Sequence, residues 1–227
     1  MPEVVYFKPL LLMTTTNSSF PASATAALEA RQITCVRGDR TLFSGLDLQL
    51  FAGQCLHVRG ENGVGKTSLL RLLTGLASPE SGEVLWCGHP IKKQVSEFHS
   101  KLLFLGHRDA LKEDLSAIEN LRMYAAIDGI ALSEQDTFAC LWRFGLKGRE
   151  DLPVNCLSAG QKKRVLMARM LTRRAQVWIL DEPFNALDTH AVGELQDLIV
   201  EHLESNGLVV LTSHQSLAIS GLRVLDL

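Results

Sequence analysis

The sequence predicts a single α/β domain built around a phosphate-binding loop, and three observations lead there. Gly60-Glu61-Asn62-Gly63-Val64-Gly65-Lys66-Thr67 fits the pattern G-x-x-x-x-G-K-[ST], with Ser68 directly after it. The run at 54–59 before the loop reads as a strand, and Leu69, Leu70, Leu72, Leu73 and Leu76 after it recur at helical spacing. The chain has 227 residues, 46% of them hydrophobic, which is enough for one large α/β core and too little for two.

Each part of the loop has a physical task. Its glycines let backbone N–H groups turn inward on an anion. The helix that follows presents further bare N–H groups and the positive end of its dipole. Lys66 supplies a mobile charge for outer phosphates. Thr67 offers a hydroxyl to Mg²⁺, a cation that keeps most of its waters and takes few protein ligands.

The elements follow in order. Residues 1–27 look unlike the rest, with 14–19 and 21–27 small and polar without periodicity, and read as a disordered tail; the alternative is that translation begins at Met13. The expected folded domain occupies 28–227, and it closes without an accessory C-terminal domain. Residues 28–36 and 46–50 read as strands, the second through alternation of Leu46, Leu48 and Leu50 with polar neighbours. A turn at 78–82 leads to a short strand at 83–86, and 101–105 is another. From 116 to 144 the periodicity is helical, with Ile118, Leu121, Tyr124 and Ala125 on one face. A linker at 151–155 is followed by a helix at 161–171, a buried strand at 177–180, a helix at 189–204 and a buried strand at 208–212.

Composition excludes several classes of function. The net charge of −2 offers no basic field for nucleic acid. The five cysteines are scattered and odd in number, with no C-x-x-C pair, which points to a reduced compartment without disulfides or a zinc site. No apolar run reaches membrane-spanning length, and 4–13 lacks the basic flank of a signal peptide.

Two further stretches carry chemistry. Val177-Trp178-Ile179-Leu180 ends in Asp181 and Glu182, so both carboxylates emerge at the C-terminal edge of a core strand, where open α/β sheets bind ligands. Asp181 suits a Mg²⁺ shell, and Glu182 suits the orientation or deprotonation of a water attacking a γ-phosphate. Leu157-Ser158-Ala159-Gly160-Gln161 opens a helix with Ser158 as its cap. Lys162, Lys163 and Arg164 then fill the first turn against the dipole, a concentration of positive charge that suits an anion, or else a solvated basic face.

At this point the residues carry a resemblance. Residues 157–161 resemble the signature of ATP-binding cassette (ABC) proteins, and Ser158 stands 23 positions ahead of Asp181, the order that family shows. Asn185-Ala186-Leu187-Asp188 resembles the D-loop between two cassettes, and His214 the switch histidine on the γ-phosphate. The resemblance covers about 28–220. It implies a P-loop NTPase fold with a parallel-sheet core, an antiparallel β subdomain and a helical subdomain at about 110–160. It also implies ATP and Mg²⁺ as the ligands, with Thr67 and Asp181 on the metal. Two copies would pair, so that Gly60, Glu61, Asn62, Gly63, Val64, Gly65, Lys66, Thr67, Ser68, Asp181, Glu182, His107 and His214 of one face Leu157, Ser158, Ala159, Gly160 and Gln161 of the other.

Two stations depart from the family pattern. Leu105-Gly106-His107 replaces the usual glutamine, so His107 is the candidate for that residue's work on water or Mg²⁺. The adenine-stacking aromatic is missing from Cys35-Val36-Arg37-Gly38-Asp39; Arg37 is the first candidate to stack on the base and Phe43 the second. Residues 105–107, with Asp109-Ala110-Leu111-Lys112, Leu115-Ser116-Ala117 and Glu119-Asn120-Leu121, are similar to the ATP-binding subunit of the bacterial heme exporter of cytochrome c maturation. That likeness implies a peripheral ATPase on the cytoplasmic face of the inner membrane. Its partners would be a second cassette and integral-membrane subunits that dock on 116–144, where Tyr124 and Trp142 are candidate contacts. Heme would be handled by those partners, since the chain has no Cys-Pro or C-x-x-C-H heme motif. The alternatives are a cassette for another cargo and a soluble ATPase outside transport.

Overall fold

The computed structural model describes residues 26–107, 109–215 and 217–227. In chain order these form β1 (Leu28–Arg37), β2 (Arg40–Leu50), β3 (Cys55–Arg59), α1 (Lys66–Leu73), β4 (Ser81–Trp86), β5 (His89–Pro90), α2 (Val95–Lys101) and β6 (Leu102–Leu105). Then come α3 (Ala117–Ile127), α4 (Glu134–Arg143), α5 (Ala159–Thr172), β7 (Val177–Leu180), α6 (Thr189–Glu204), β8 (Leu208–Thr212) and β9 (Arg223–Asp226). The expected tail at 1–27 lies outside the described residues except for its last two. Those two correct the expected boundary: Ala26 and Ala27 are buried, and Ala27 bonds through its N–H to Leu50 and through its carbonyl to Cys87.

A five-stranded sheet in the order β6-β7-β8-β3-β9 positions the site, and all of its ladders are parallel. Its inner strands are apolar on both faces, and successive side chains go to different cores. Val177, Ile179, Leu208 and Val210 join one cluster with α1 and the inner face of the second sheet. Trp178, Leu180, Val209 and Leu211 join the other, with α3 to α6. This two-sided burial fixes the register, because a one-residue slip would exchange both faces at once.

The second sheet is antiparallel, in the order β2-β1-β4-β5. Helix α1 is held between the sheets by Leu69, Leu70, Leu72 and Leu73. Leu76, read as part of the same helical stripe, is exposed beyond the helix end.

The helical stretch at 116–144 divides in two. Gly129 takes φ 72°, its N–H reaches Ala126 O at 3.0 Å, and Ile130 N–H reaches Ala125 O at 2.8 Å. These bonds form a Schellman stop, which ends α3. Ser133 then caps α4 by accepting from Asp136 N–H at 3.1 Å. Some elements escape sequence periodicity. Helix α2 buries only Phe98, and β9 is mostly exposed at the sheet edge. Among the described residues no helix is long and apolar enough to cross a membrane.

Candidate functional site

The loop at 60–67 runs from the end of β3 into α1. Gly60 and Gly65 adopt φ 144° and 124°, a backbone region that side-chain-bearing residues rarely enter, and a Cβ would clash at 60 and be tight at 65. At 60 it would stand 2.9 Å from the Leu227 carbonyl, and at 65 it would stand 3.3 Å from Phe43 Cε1. Helix α1 begins with Gly65 as its cap, so no side chain accepts from its first turn, and that turn holds no acidic residue. Its N–H groups are left for an external acceptor. Lys66 is buried, and its ammonium donates to Gly60 O at 2.7 Å and Glu61 O at 3.1 Å.

The acidic strand meets the loop at Thr67, whose hydroxyl donates to Asp181 Oδ2 at 2.8 Å. Asp181 is buried, and its N–H donates to Leu105 O at 2.7 Å. Its other oxygen accepts from the Thr212 hydroxyl at 2.8 Å, and the same Thr212 oxygen accepts from Glu182 N–H at 2.9 Å. One hydroxyl therefore ties both acids to the end of β8. Glu182 has φ 51°, a region that non-glycine residues occupy at a cost. Its Oε1 is buried without a hydrogen bond among the described residues, and His214 Nε2 stands 3.5 Å from it. A carboxylate oxygen with no hydrogen bond of its own, at the sheet edge beside the loop, is equipped to take a proton from a water.

His107 is exposed, two residues past Leu105, the residue that accepts from Asp181 N–H. It therefore stands on the same sheet edge as the acids. Arg37 is exposed beside the β1–β2 turn, opposite Arg40. Phe43, the second candidate at the base, brings its ring against the loop at Gly65.

The signature residues are arranged differently. Ser158 caps α5: its hydroxyl accepts from Gln161 N–H at 3.2 Å, and its own N–H donates to Gln161 Oε1 at 2.9 Å. A Cβ at Gly160 would stand 2.9 Å from Ala186 O, so the segment at 185–188 presses on the start of this helix. The expected surplus of positive charge is corrected here. Lys162 pairs with Glu113 at 3.4 Å and Lys163 with Asp109 at 3.2 Å. Arg164 reaches Asp188 at 2.9 Å, Glu194 at 3.3 Å and Phe144 O at 3.1 Å. These neighbouring carboxylates neutralise the basic turn within the chain. Asp188 in turn caps α6. Its carboxyl is held below the usual carboxylate range by the bond from Ala191 N–H first, and then by Arg164.

Thr67, Asp181, Glu182 and His214 thus converge beside the loop. Ser158 and Gly160 are engaged with Gln161 and Ala186 of their own chain instead. Sequence reading passed over Thr212 and His57. Thr212 is one residue beyond the Leu180–Leu211 pair, so knowing that β7 and β8 are neighbours would have aligned it with Asp181. His57 gave no such signal.

Comparisons with known proteins agree with this geometry. A family model described as ABC transporter matches residues 43–185. The chain is 48% identical over 194 residues to the "Cytochrome c biogenesis ATP-binding export protein CcmA" of Nitrosospira multiformis, covering 86% of this chain and 94% of the relative. The protein of that name from Escherichia coli K12 is 48% identical over 196 residues, covering 85% and 91%. Among solved structures, a putative ABC transporter ATP-binding protein from Pyrococcus furiosus superposes with TM-score 0.77 at 25% identity, covering 88% of this chain and 96% of that one. The cbiO1 protein of Clostridium perfringens, described as part of the ABC transporter complex cbiONQ, gives 0.68 at 27% identity, covering 84% and 79%.

Proposed function

The chain belongs to the ABC transporter family, and from that premise we propose that it is the ATP-hydrolysing subunit of a membrane exporter serving cytochrome c biogenesis, with heme as the cargo. One observation carries the catalytic part of this reading. Asp181, Glu182 and His214 meet at the edge of the parallel sheet beside the uncapped start of α1. The likeness to proteins named for cytochrome c biogenesis and export supports the cargo.

The residues divide the work. N–H groups of the loop and of the first turn of α1 bind the phosphates of ATP, and Lys66 swings from the loop carbonyls to the outer phosphates. Thr67 and Asp181 are hard oxygen donors in mutual contact, a set that fits Mg²⁺. They would hold that ion, which would offset charge on the outer phosphates. Glu182 orients the attacking water and accepts its proton, with His214 fixing the γ-phosphate from the other side. His107 contributes a donor at the same edge, and Arg37 or Phe43 meets the base.

Ser158 and Gly160 serve the site of a second copy, so ATP is sandwiched in a homodimer of cassettes. Membrane subunits dock on the helical subdomain, and the assembly lies on the cytoplasmic face of the inner membrane. Affinity purification of the tagged chain from detergent-solubilised membranes tests this reading. The expected result is co-purifying integral-membrane proteins together with a heme absorption band that changes on addition of ATP. Recovery without membrane proteins, or with ribosomes or DNA, would refute the transport role. Membrane partners devoid of heme under heme-replete growth would refute the cargo alone.

A further inference from the structure

His57 belongs to none of the motifs above, yet it is buried in the parallel sheet, on β3 between β8 and the edge strand β9. Its Nε2 lies 2.9 Å from the carbonyl oxygen of Ser213. A carbonyl only accepts, so Nε2 carries the proton and donates. The contact falls where β8 leaves the sheet. The β3–β8 ladder ends at the pair Val58–Thr212, and β8 itself ends at Thr212. Beyond that register Ser213 is held by the imidazole of His57 and by a local turn, in which its hydroxyl accepts from Gln215 N–H at 2.9 Å.

The three consecutive residues at this exit have separate tasks. Thr212 bonds to Asp181 and Glu182, Ser213 is tethered to His57, and His214 faces Glu182 Oε1 at 3.5 Å. We propose that His57 is a positioning residue for hydrolysis: by anchoring the Ser213 carbonyl it fixes the main chain from which His214 reaches Glu182 and the γ-phosphate. Without the anchor, the peptide between Ser213 and His214 is free to turn, and the imidazole of His214 leaves its place opposite Glu182. His57 touches neither acid nor nucleotide and acts through the backbone alone. The inference rests on the role given above to His214.

The test compares three substitutions at 57 in the complex recovered from membranes. Leucine fills the space and removes the donor. Glutamine carries an amide nitrogen near the position of Nε2, whereas the shorter asparagine stops near Nδ1. With His57→Leu, kcat for ATP should fall about tenfold, the loss expected of one buried hydrogen bond felt in the transition state. KM for ATP should stay within about twofold. Glutamine should restore kcat to within about threefold of the parent rate, and asparagine should resemble leucine. If leucine prevents folding, the contrast between glutamine and asparagine carries the test. The inference is overturned by parental kcat in the leucine and asparagine variants. It is equally overturned if glutamine loses as much as asparagine, or if the losses appear in KM and melting temperature and not in kcat. His214→Ala distinguishes the two levels. Parental turnover there removes the site reading and this inference with it, whereas a strong loss there beside parental rates at 57 removes this inference alone.

Discussion

Helices α1 and α5 both start at a glycine-bearing loop, yet their first turns are built in opposite ways. The start of α1 has no side-chain cap and no acid, and a buried ammonium bonded, among the described residues, to main-chain carbonyls stands beside it. The start of α5 is closed by the reciprocal bonds of Ser158 and Gln161, and its cations are neutralised by Glu113, Asp109, Asp188 and Glu194. An open helix start binds an anion from its own chain's side. A closed one keeps its shape without a ligand and offers a preformed surface to something that arrives later. The difference argues that α1 carries the affinity for nucleotide and α5 the dependence of hydrolysis on a second copy.

The largest effect should come from the open half. Glu182→Gln removes the proposed proton acceptor while leaving the loop intact, so ATP binding should persist. Hydrolysis should fall by roughly 10²- to 10⁴-fold, the range for loss of a general base. The variant should also accumulate as an ATP-dependent dimer on size-exclusion chromatography. Turnover at the parental rate would end the assignment of Glu182. Thr212→Val is next in size. It deletes the hydroxyl that bonds to Asp181 and to Glu182 N–H, and it leaves a buried carboxylate oxygen without its donor. At about 1–3 kcal/mol for such a loss, kcat should drop roughly 10- to 100-fold, with a lower melting temperature. A neutral Thr212→Val would mean that the acids are placed by the strand alone.

The contrast between the two helix starts was only half legible in the sequence. Motif spacing located the loop, the acidic strand and the signature, because backbone geometry there demands particular residue types at fixed offsets: Gly60 and Gly65 sit at positive φ, and at Gly60 a Cβ would also collide. Burial on both faces made 177–180 and 208–212 recognisable as core strands. What stayed hidden depends on neighbours distant in the chain. Lys162, Lys163 and Arg164 look like a positive patch until the carboxylates at 109, 113, 188 and 194 are brought beside them. Thr212 and His57 acquire their roles from strand order, which no local pattern encodes. Helix α2 and β9 bury too little to impress a period on the sequence.

A smaller effect tests the closed half. Ser158→Ala removes the cap acceptor for Gln161 N–H, which should cost about 1 kcal/mol of stability. ATP binding by the monomer should be unchanged, because the phosphate-binding groups proposed above lie at α1. In the Glu182→Gln background, the ATP-dependent dimer should be weakened or lost on the same column. If monomer affinity for ATP fell instead, the start of α5 would be acting within its own chain, and the contrast between the two helices would fail.

The smallest effect concerns the clasp between α5 and α6. Asp188 accepts from Ala191 N–H at 2.8 Å and from Arg164 at 2.9 Å. Those two bonds, in that order, hold its carboxyl below the ordinary value of 3.8. A carboxyl depressed in the folded state gives stability that is complete above its unfolded value and vanishes as pH falls through its folded value. Asp188→Asn keeps an oxygen for the cap and removes the charge facing Arg164. Parent and variant should therefore differ most in melting temperature near neutral pH, and the two curves should converge on acidification below about pH 4. The gap should be small and shrink with added salt, because the Asp188 side chain is 64% exposed. Thermal melts from neutral to about pH 3 at low and high salt measure it. No gap at any pH would mean that Arg164 holds α5 through Glu194 and the Phe144 carbonyl and that the charge of Asp188 adds nothing to the clasp.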